Sequence, residues 1–246
     1  MRKFRPKYSA THVLVVLGSG GHTAEMFSML RRAKFDPSIY TYRTYVVSSG
    51  DHFSAVKARE FENGLLSKTK HNEGNGKQHQ GTAKEEEKEE EDEPGNSYTI
   101  VTVPRARRIH QSYLTAPFST LQCFWACLLV LLRLHPDQRQ SQPSDRVPSY
   151  PDIILSNGPA TAVCVIMAAK LIRLFRLAIG NGVATPHQFQ LRTVFVESWA
   201  RVSTLSLSGK LLLPFVDRFL VQWPNLAGKR AWKGTKKTEY IGVLVE

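Results

Sequence analysis

Short runs of apolar and β-branched residues recur along the chain, at 12–17, 44–47, 98–103, 152–155, 193–196, 218–221 and 240–245. Polar residues do not alternate with apolar ones inside these runs, a pattern that marks strands covered on both faces. Between several of them the period changes. Met26, Met29, Leu30 and Ala33 follow the i, i+3, i+4, i+7 spacing of a helix, and Leu121, Trp125, Leu128, Leu129 and Leu132 make a second stripe. Strand alternating with helix predicts an α/β protein built on a parallel sheet. The 118–132 segment reads as a core-packing helix, too short for a membrane span.

Two stretches break the pattern. Residues 63–97 hold few large apolar side chains and many Lys, Glu, Gly and Gln, so they are expected to form a disordered insertion. Residues 135–151, rich in Pro, Ser and Gln, are expected to form a polar loop. Too few elements precede the insertion to make a core of their own, so 1–246 is expected to be one domain.

The first run ends abruptly in "HVLVVLGSGGHTAEM", where a strand meets Gly18, Ser19, Gly20, Gly21, His22 and Thr23 and a helix follows. Such a corner exposes backbone N–H groups at the positive end of a helix dipole, an arrangement suited to a phosphate or diphosphate. A tight turn whose glycines only permit packing is the alternative. Thr23 or Ser19 could cap the helix, and Glu25 in its first turn suits the dipole. His22 is the nearest ionisable group, a candidate neutral hydrogen-bonding group or general base, or simply a helix-start histidine. Thr23 stands where a dinucleotide fingerprint has its third glycine, and no ribose-binding acid follows the next strand, which argues against NAD.

Charge narrows the partners. The chain carries a formal +12, although residues 84–93 hold eight acids against two lysines, a local net of −6 that leaves +18 elsewhere. A phosphate-bearing ligand or an anionic membrane surface fits this excess, with Arg105, Arg107 and Arg108 as a candidate contact cluster. A nucleic-acid binder would explain the charge but not the glycine corner, and no interleaved basic and aromatic stripe is present. A stand-alone nucleotide-dependent enzyme would explain the corner but needs a second binding half. The three cysteines show no C-x-x-C spacing and sit in apolar segments, so buried free thiols and a reducing compartment are expected. No metal-ligand spacing appears, and neither metal nor cofactor is expected.

Three further stretches join the glycine corner: "PDIILSNGPAT", with Asn157, Gly158 and Pro159; "VFVESWARV", with Glu197 and Ser198; and "LSGKLLLPFVDRFLVQWPNL". Together they resemble the family of membrane-anchoring, acceptor-side subunits of the endoplasmic-reticulum transferase that adds the second N-acetylglucosamine (GlcNAc) to dolichol diphosphate-linked GlcNAc in asparagine-linked glycosylation. The resemblance covers nearly the whole chain except the two loops. It implies a Rossmann-like sheet with helices on both faces, equivalent to the N-terminal half of a GT-B glycosyltransferase. By this resemblance Gly18 to Thr23 would hold the acceptor diphosphate, and Asn157, Gly158, Pro159, Glu197 and Ser198 would line the same cleft. The donor-binding half would reside in a separate soluble catalytic subunit that uses UDP-GlcNAc. Tyr240, Ile241, Gly242, Val243, Leu244, Val245 and Glu246 would lie at the interface with it. The implied site of action is the cytosolic face of the endoplasmic-reticulum membrane, extending to the nuclear envelope, with no nucleic acid involved. Family members usually carry a spanning helix before the first strand. Here the basic residues Arg2, Lys3, Arg5 and Lys7, the arginine cluster and the 118–132 segment are the alternatives for reaching the membrane.

Overall fold

The computed structural model describes residues 11–74, 98–107, 111, 114–140, 150–158, 160–179 and 191–244. Its centre is a seven-stranded sheet in the order β3-β2-β1-β4-β5-β6-β7, every neighbouring pair parallel. The strands are β1 (His12–Val16), β2 (Tyr42–Ser48), β3 (Tyr98–Val103), β4 (Ile153–Asn157), β5 (Arg192–Val196), β6 (Arg218–Val221) and β7 (Glu239–Tyr240). The helices are α1 (Gly21–Arg32), α2 (His52–Gly74), α3 (Ala116–Leu131), α4 (Pro136–Gln140), α5 (Ala160–Ile179) and α6 (Leu207–Leu212). This is a Rossmann-like α/β arrangement, as the apolar runs predict.

The unbroken apolar character of β1 follows from its central place in the sheet. Its side chains alternate between two cores: Val13 and Val15 meet Met26, Phe27, Met29 and Leu30 of α1 and Phe61 of α2, while Leu14 and Val16 meet α3, α5 and α6 on the other face. Each such buried aliphatic side chain contributes about 1.5–3 kcal/mol. The strand order reverses between β1 and β4, which opens a crevice at the carboxyl edge of that pair.

The structure corrects the sequence reading at four places. Residues 63–74, assigned above to the insertion, continue helix α2; residues 75–97 lie outside the described residues. The helix holds on because Glu62 is buried and receives Arg43 twice, Nε to Oε1 and Nη2 to Oε2 at 2.7 Å each, with the Tyr45 hydroxyl donating at 2.6 Å. At the start of the expected polar loop, Pro136 instead takes the first position of α4, where its missing N–H costs nothing. Asp137 behind it accepts from the Thr102 N–H at 2.8 Å. The last strand is only two residues long; Ile241 still donates to Val221 O, and 242–244 run on outside any strand.

The fourth correction concerns α3. Only part of its apolar stripe faces out: Leu121 and Trp125 are 65% and 64% exposed, while Leu128 packs against the core. The inward face carries small residues first, Cys123, Ala126 and Cys127, in one core with Ala162, Cys164, Ala168 and Ala169 of α5, and then Val130 and Leu131 near its end. Small side chains let two helices approach closely, so α3 turns its bulk outward. All three cysteines are free and buried, as expected from the sequence. The stretch Ala116–Arg139 is long and apolar enough by composition to cross a membrane, with mean hydropathy 1.5 over its best window. The helix itself stops at Leu131, and Arg133 turns the chain with φ +58°. Sixteen residues span about 24 Å, less than the hydrocarbon thickness of a bilayer.

Candidate functional site

The glycine corner lies at the carboxyl edge of β1, next to β4 across the point where strand order reverses, the usual ligand position in open α/β sheets. Gly20 caps α1 with φ +58° and ψ −117°, a conformation only glycine adopts readily. The N–H groups of His22 and Thr23 turn back onto Ser19 O and Gly20 O, at 3.4 and 3.1 Å. Ser19, Gly20 and Gly21 are exposed, and a Cβ placed on Gly20 or Gly21 would meet nothing within 4 Å. The front of the corner is therefore open.

Its back is fastened. Thr23 is fully buried and does not face the opening: its hydroxyl donates to Gly18 O and lies 2.6 Å from Ser54 Oγ. Ser54 in turn donates to Asp51 Oδ2 at 2.6 Å. The threonine assigned above to diphosphate binding is thus a tether that sets the shape of the corner. No side chain caps α1, whose N-cap position is Gly20.

His22 lies half-buried between two partners. Its Nδ1 is 3.7 Å from Glu25 Oε2, and its ring rests so close to Gly158 that a Cβ there would stand 2.9 Å from His22 Cγ. Gly158 also has φ +86°, so both backbone and space demand glycine. Asn157 is fully buried and donates from Nδ2 to His22 O at 2.9 Å; its Oδ1 has no partner among the described residues. The structure thus brings His22, Asn157 and Gly158 together. Pro159 lies outside the described residues.

Glu25 lies beyond the first turn of α1 and does not serve the helix dipole, because the helix starts at Gly21. It is turned inward, and Oε1 accepts from the Trp199 N–H at 2.5 Å and from Gln222 Nε2 at 2.9 Å. Burial pushes its carboxyl up, but hydrogen bonds from His22, Trp199, Ser198 and Gln222 outweigh this and hold it below the ordinary glutamate value. Gln222 also donates to Glu197 O at 3.2 Å and accepts from the Leu244 N–H at 3.0 Å. Glu25, Ser54, Asp51 and Gln222 were all missed as site residues in the sequence.

Glu197 does not line the opening. It is 1% exposed, and its Oε2 accepts from the N–H and hydroxyl of Ser206 at 3.0 and 3.1 Å, which anchors the start of α6. Burial raises its carboxyl pKa despite those bonds. Ser198 beside it is half-buried, its hydroxyl accepting from the Ala200 N–H at 3.3 Å. Arg105 stands at the neighbouring corner between β2 and α2: its Nε donates to Ser49 O at 2.8 Å, on the rim of a cavity of about 700 Å³ that Phe118 and Gln122 also line. Arg107 is exposed, and Arg108 lies outside the described residues. At the carboxyl terminus Tyr240 closes the sheet, Ile241 donates its N–H to Val221 O at 3.1 Å, and Gly242 has φ +80°. Val243 and Leu244 follow, while Val245 and Glu246 lie outside the described residues.

A doubly wound parallel sheet with a bare glycine corner at its reversal point defines a Rossmann-like α/β protein. The chain belongs to the family described as "Oligosaccharide biosynthesis protein Alg14 like", whose model matches residues 13–244. It is 54% identical over 242 residues to the UDP-N-acetylglucosamine transferase subunit alg14 of Aspergillus fumigatus, covering 90% of this chain and 100% of that one. It is 37% identical to the subunit of that name in Schizosaccharomyces pombe, over 95% of this chain and 83% of the relative. It is 30% identical to UDP-N-acetylglucosamine transferase subunit ALG14 of Homo sapiens, over 95% and 82% respectively. No solved structure matches the chain.

Proposed function

We propose that this chain is the acceptor-side subunit of a UDP-GlcNAc transferase acting in oligosaccharide biosynthesis. It recruits a soluble, donor-binding catalytic subunit to the cytosolic face of the endoplasmic-reticulum membrane and binds GlcNAc-diphosphate-dolichol there, as the acceptor-binding half of a GT-B glycosyltransferase. The observation that carries this reading is the corner itself: an open glycine turn at the positive end of α1, braced from behind by Thr23, Ser54 and Asp51. The names of the relatives support the donor and the subunit role.

In the reaction the acceptor's 4-hydroxyl attacks the anomeric carbon of the donor sugar. The new C–O bond forms as the bond to UDP breaks on the opposite face, inverting that carbon, and the hydroxyl proton passes to a base. His22 is the candidate base, with Glu25 at 3.7 Å to orient its ring. Basic residues hold the chain at the membrane, where each Lys or Arg near an anionic surface contributes about 1 kcal/mol. The segment from Tyr240 to Glu246 forms part of the partner interface.

The test is GlcNAc transfer to a GlcNAc-diphosphate-lipid by this chain alone, by its mixture with the donor-binding subunit, and by the mixture carrying Gly21→Asp. That substitution meets no steric obstacle and places a negative charge where a diphosphate would sit, at a helix start that tolerates acids. Activity in the wild-type mixture only, with an unchanged melting temperature for the variant, is the expected result. Turnover by the chain alone, or full activity of Gly21→Asp, contradicts the reading.

A further inference from the structure

A lipid-linked acceptor has two parts, and the glycine corner accounts for only one of them. The hydrocarbon chain attached to the diphosphate must leave the corner by an apolar path. On the side of the sheet covered by α3 and α5 there is a groove of about 520 Å³, walled by Ala116, Pro117, Leu121 and Phe124 of α3 and by Val163 and Met167 of α5. Its two remaining members are polar only in name. The Thr120 hydroxyl donates to Ala106 O and Ala116 O at 3.0 and 2.8 Å, and Cys164 is buried with its Sγ 3.8 Å from Thr120 O. The side-chain hydroxyl and thiol are thus already engaged, which disfavours a sugar or a phosphate and suits a hydrocarbon.

Its position joins it to the corner. Both helices begin at the carboxyl edge of the sheet, and the groove is lined by the first half of each. Helix α5 starts at Ala160, two residues beyond Gly158, on which the His22 ring rests. Val163 and Met167 therefore lie within about 14 Å of Gly158 along the helix axis. A chain leaving a diphosphate at Gly18–Gly21 would pass Gly158 and enter between the helices.

We propose that the α3–α5 groove binds the corner-proximal part of the acceptor's polyprenyl chain, a subsite that sorts acceptors by their lipid. The proposal rests on the lipid-diphosphate reading above. It commits to the acceptor's own chain as occupant, because α5, one wall of the groove, starts two residues beyond Gly158, on which the His22 ring of the corner rests; a bilayer or a second protein would be a competing occupant.

The experiment uses the complex of this chain with the donor-binding subunit and two acceptors with the same GlcNAc-diphosphate head, one bearing a phytanyl tail and one a tail short enough to be water-soluble. Met167→Lys puts a charge into the groove; Leu121→Ser, at an exposed position, keeps the test open if the first variant folds poorly. Because loss of about two buried methylene groups corresponds to roughly tenfold in affinity, KM for the phytanyl acceptor should rise at least ~10-fold. kcat/KM for the short acceptor should stay within about twofold. Equal loss with both acceptors, or no change with either, overturns the subsite. So does a parallel loss of flotation with acceptor-free phosphatidylcholine vesicles, which would make the groove a bilayer contact. If the wild-type complex uses neither acceptor, the acceptor reading itself fails and the subsite with it.

Discussion

Two of the strand-to-helix corners at the carboxyl edge, β1–α1 and β5–α6, carry motif residues and are built in opposite ways. At β1–α1 the polar groups gather behind the turn: Thr23, Ser54 and Asp51 hold Gly18 in place while Ser19, Gly20 and Gly21 face outward. At β5–α6 the polar group is swallowed, since Glu197 turns into the protein and its carboxylate is used up by Ser206 and Ser198. A Cβ on Gly209 would meet Glu197 Oε2 at 2.2 Å, so nothing but the helix itself fits there. A shared place on the sheet edge therefore does not make a shared role: one corner is shaped to receive something, the other is shaped to close.

This contrast can be broken most sharply at Gly158. Gly158→Val forces a β-branched residue into φ +86° and into the His22 ring, strain of about 1–3 kcal/mol before any clash is counted. Transfer activity of the complex should fall at least ~100-fold, with His22 displaced, and wild-type turnover by this variant would remove His22 and Gly158 from the site. At the closed corner the effect should be on folding alone. Glu197→Ala leaves buried donors without an acceptor, about 3 kcal/mol in chemical denaturation, while activity per folded molecule stays unchanged; Glu197→Gln should recover most of the loss. Activity that disappears in both variants without unfolding would return Glu197 to the site.

A control lies at the amino edge of the sheet. Burial works against the Asp217 carboxylate, but the Thr193 N–H and the Lys170 and Arg173 side chains more than offset it and hold its pKa down from 3.8 to about 2. A folded-state pKa below the unfolded one stabilises the protein above the unfolded value, and that stability is lost as pH falls. About 2 kcal/mol should therefore vanish between about pH 4 and 2, and Asp217→Asn should remove this slope in acid titrations with no effect on acceptor KM at neutral pH. The smallest effect belongs to the tether: Thr23→Val removes hydrogen bonds worth about 1 kcal/mol in all and should raise acceptor KM a few-fold with kcat nearly constant. A change in stability without any change in KM would mean that the tether does not shape the corner.

The strands were legible because burial on both faces writes itself as unbroken apolar runs, and the glycine corner because only a special backbone needs Gly-Ser-Gly-Gly there. The outward face of α3 was not. Leucine and tryptophan stripes look like core by spacing alone, and the decision was made by small residues on a neighbouring helix, which permit closer packing. Helix α2 was cut short in the sequence reading because a buried Glu62 looks like any other acid until Arg43 is placed against it. Glu25 was read as a dipole partner for the same reason. Its true partners, Trp199 and Gln222, lie 174 and 197 residues away, and no local pattern encodes such a pairing.

That distant pairing has an evolutionary consequence. One carboxylate oxygen of Glu25 serves both Trp199 and Gln222, and Gln222 in turn holds residues 197 and 244. Segments from four separate parts of the gene meet at two side chains, so neither can drift alone: among relatives, positions 25 and 222 should change together or not at all, while the exposed flank of α1 varies freely.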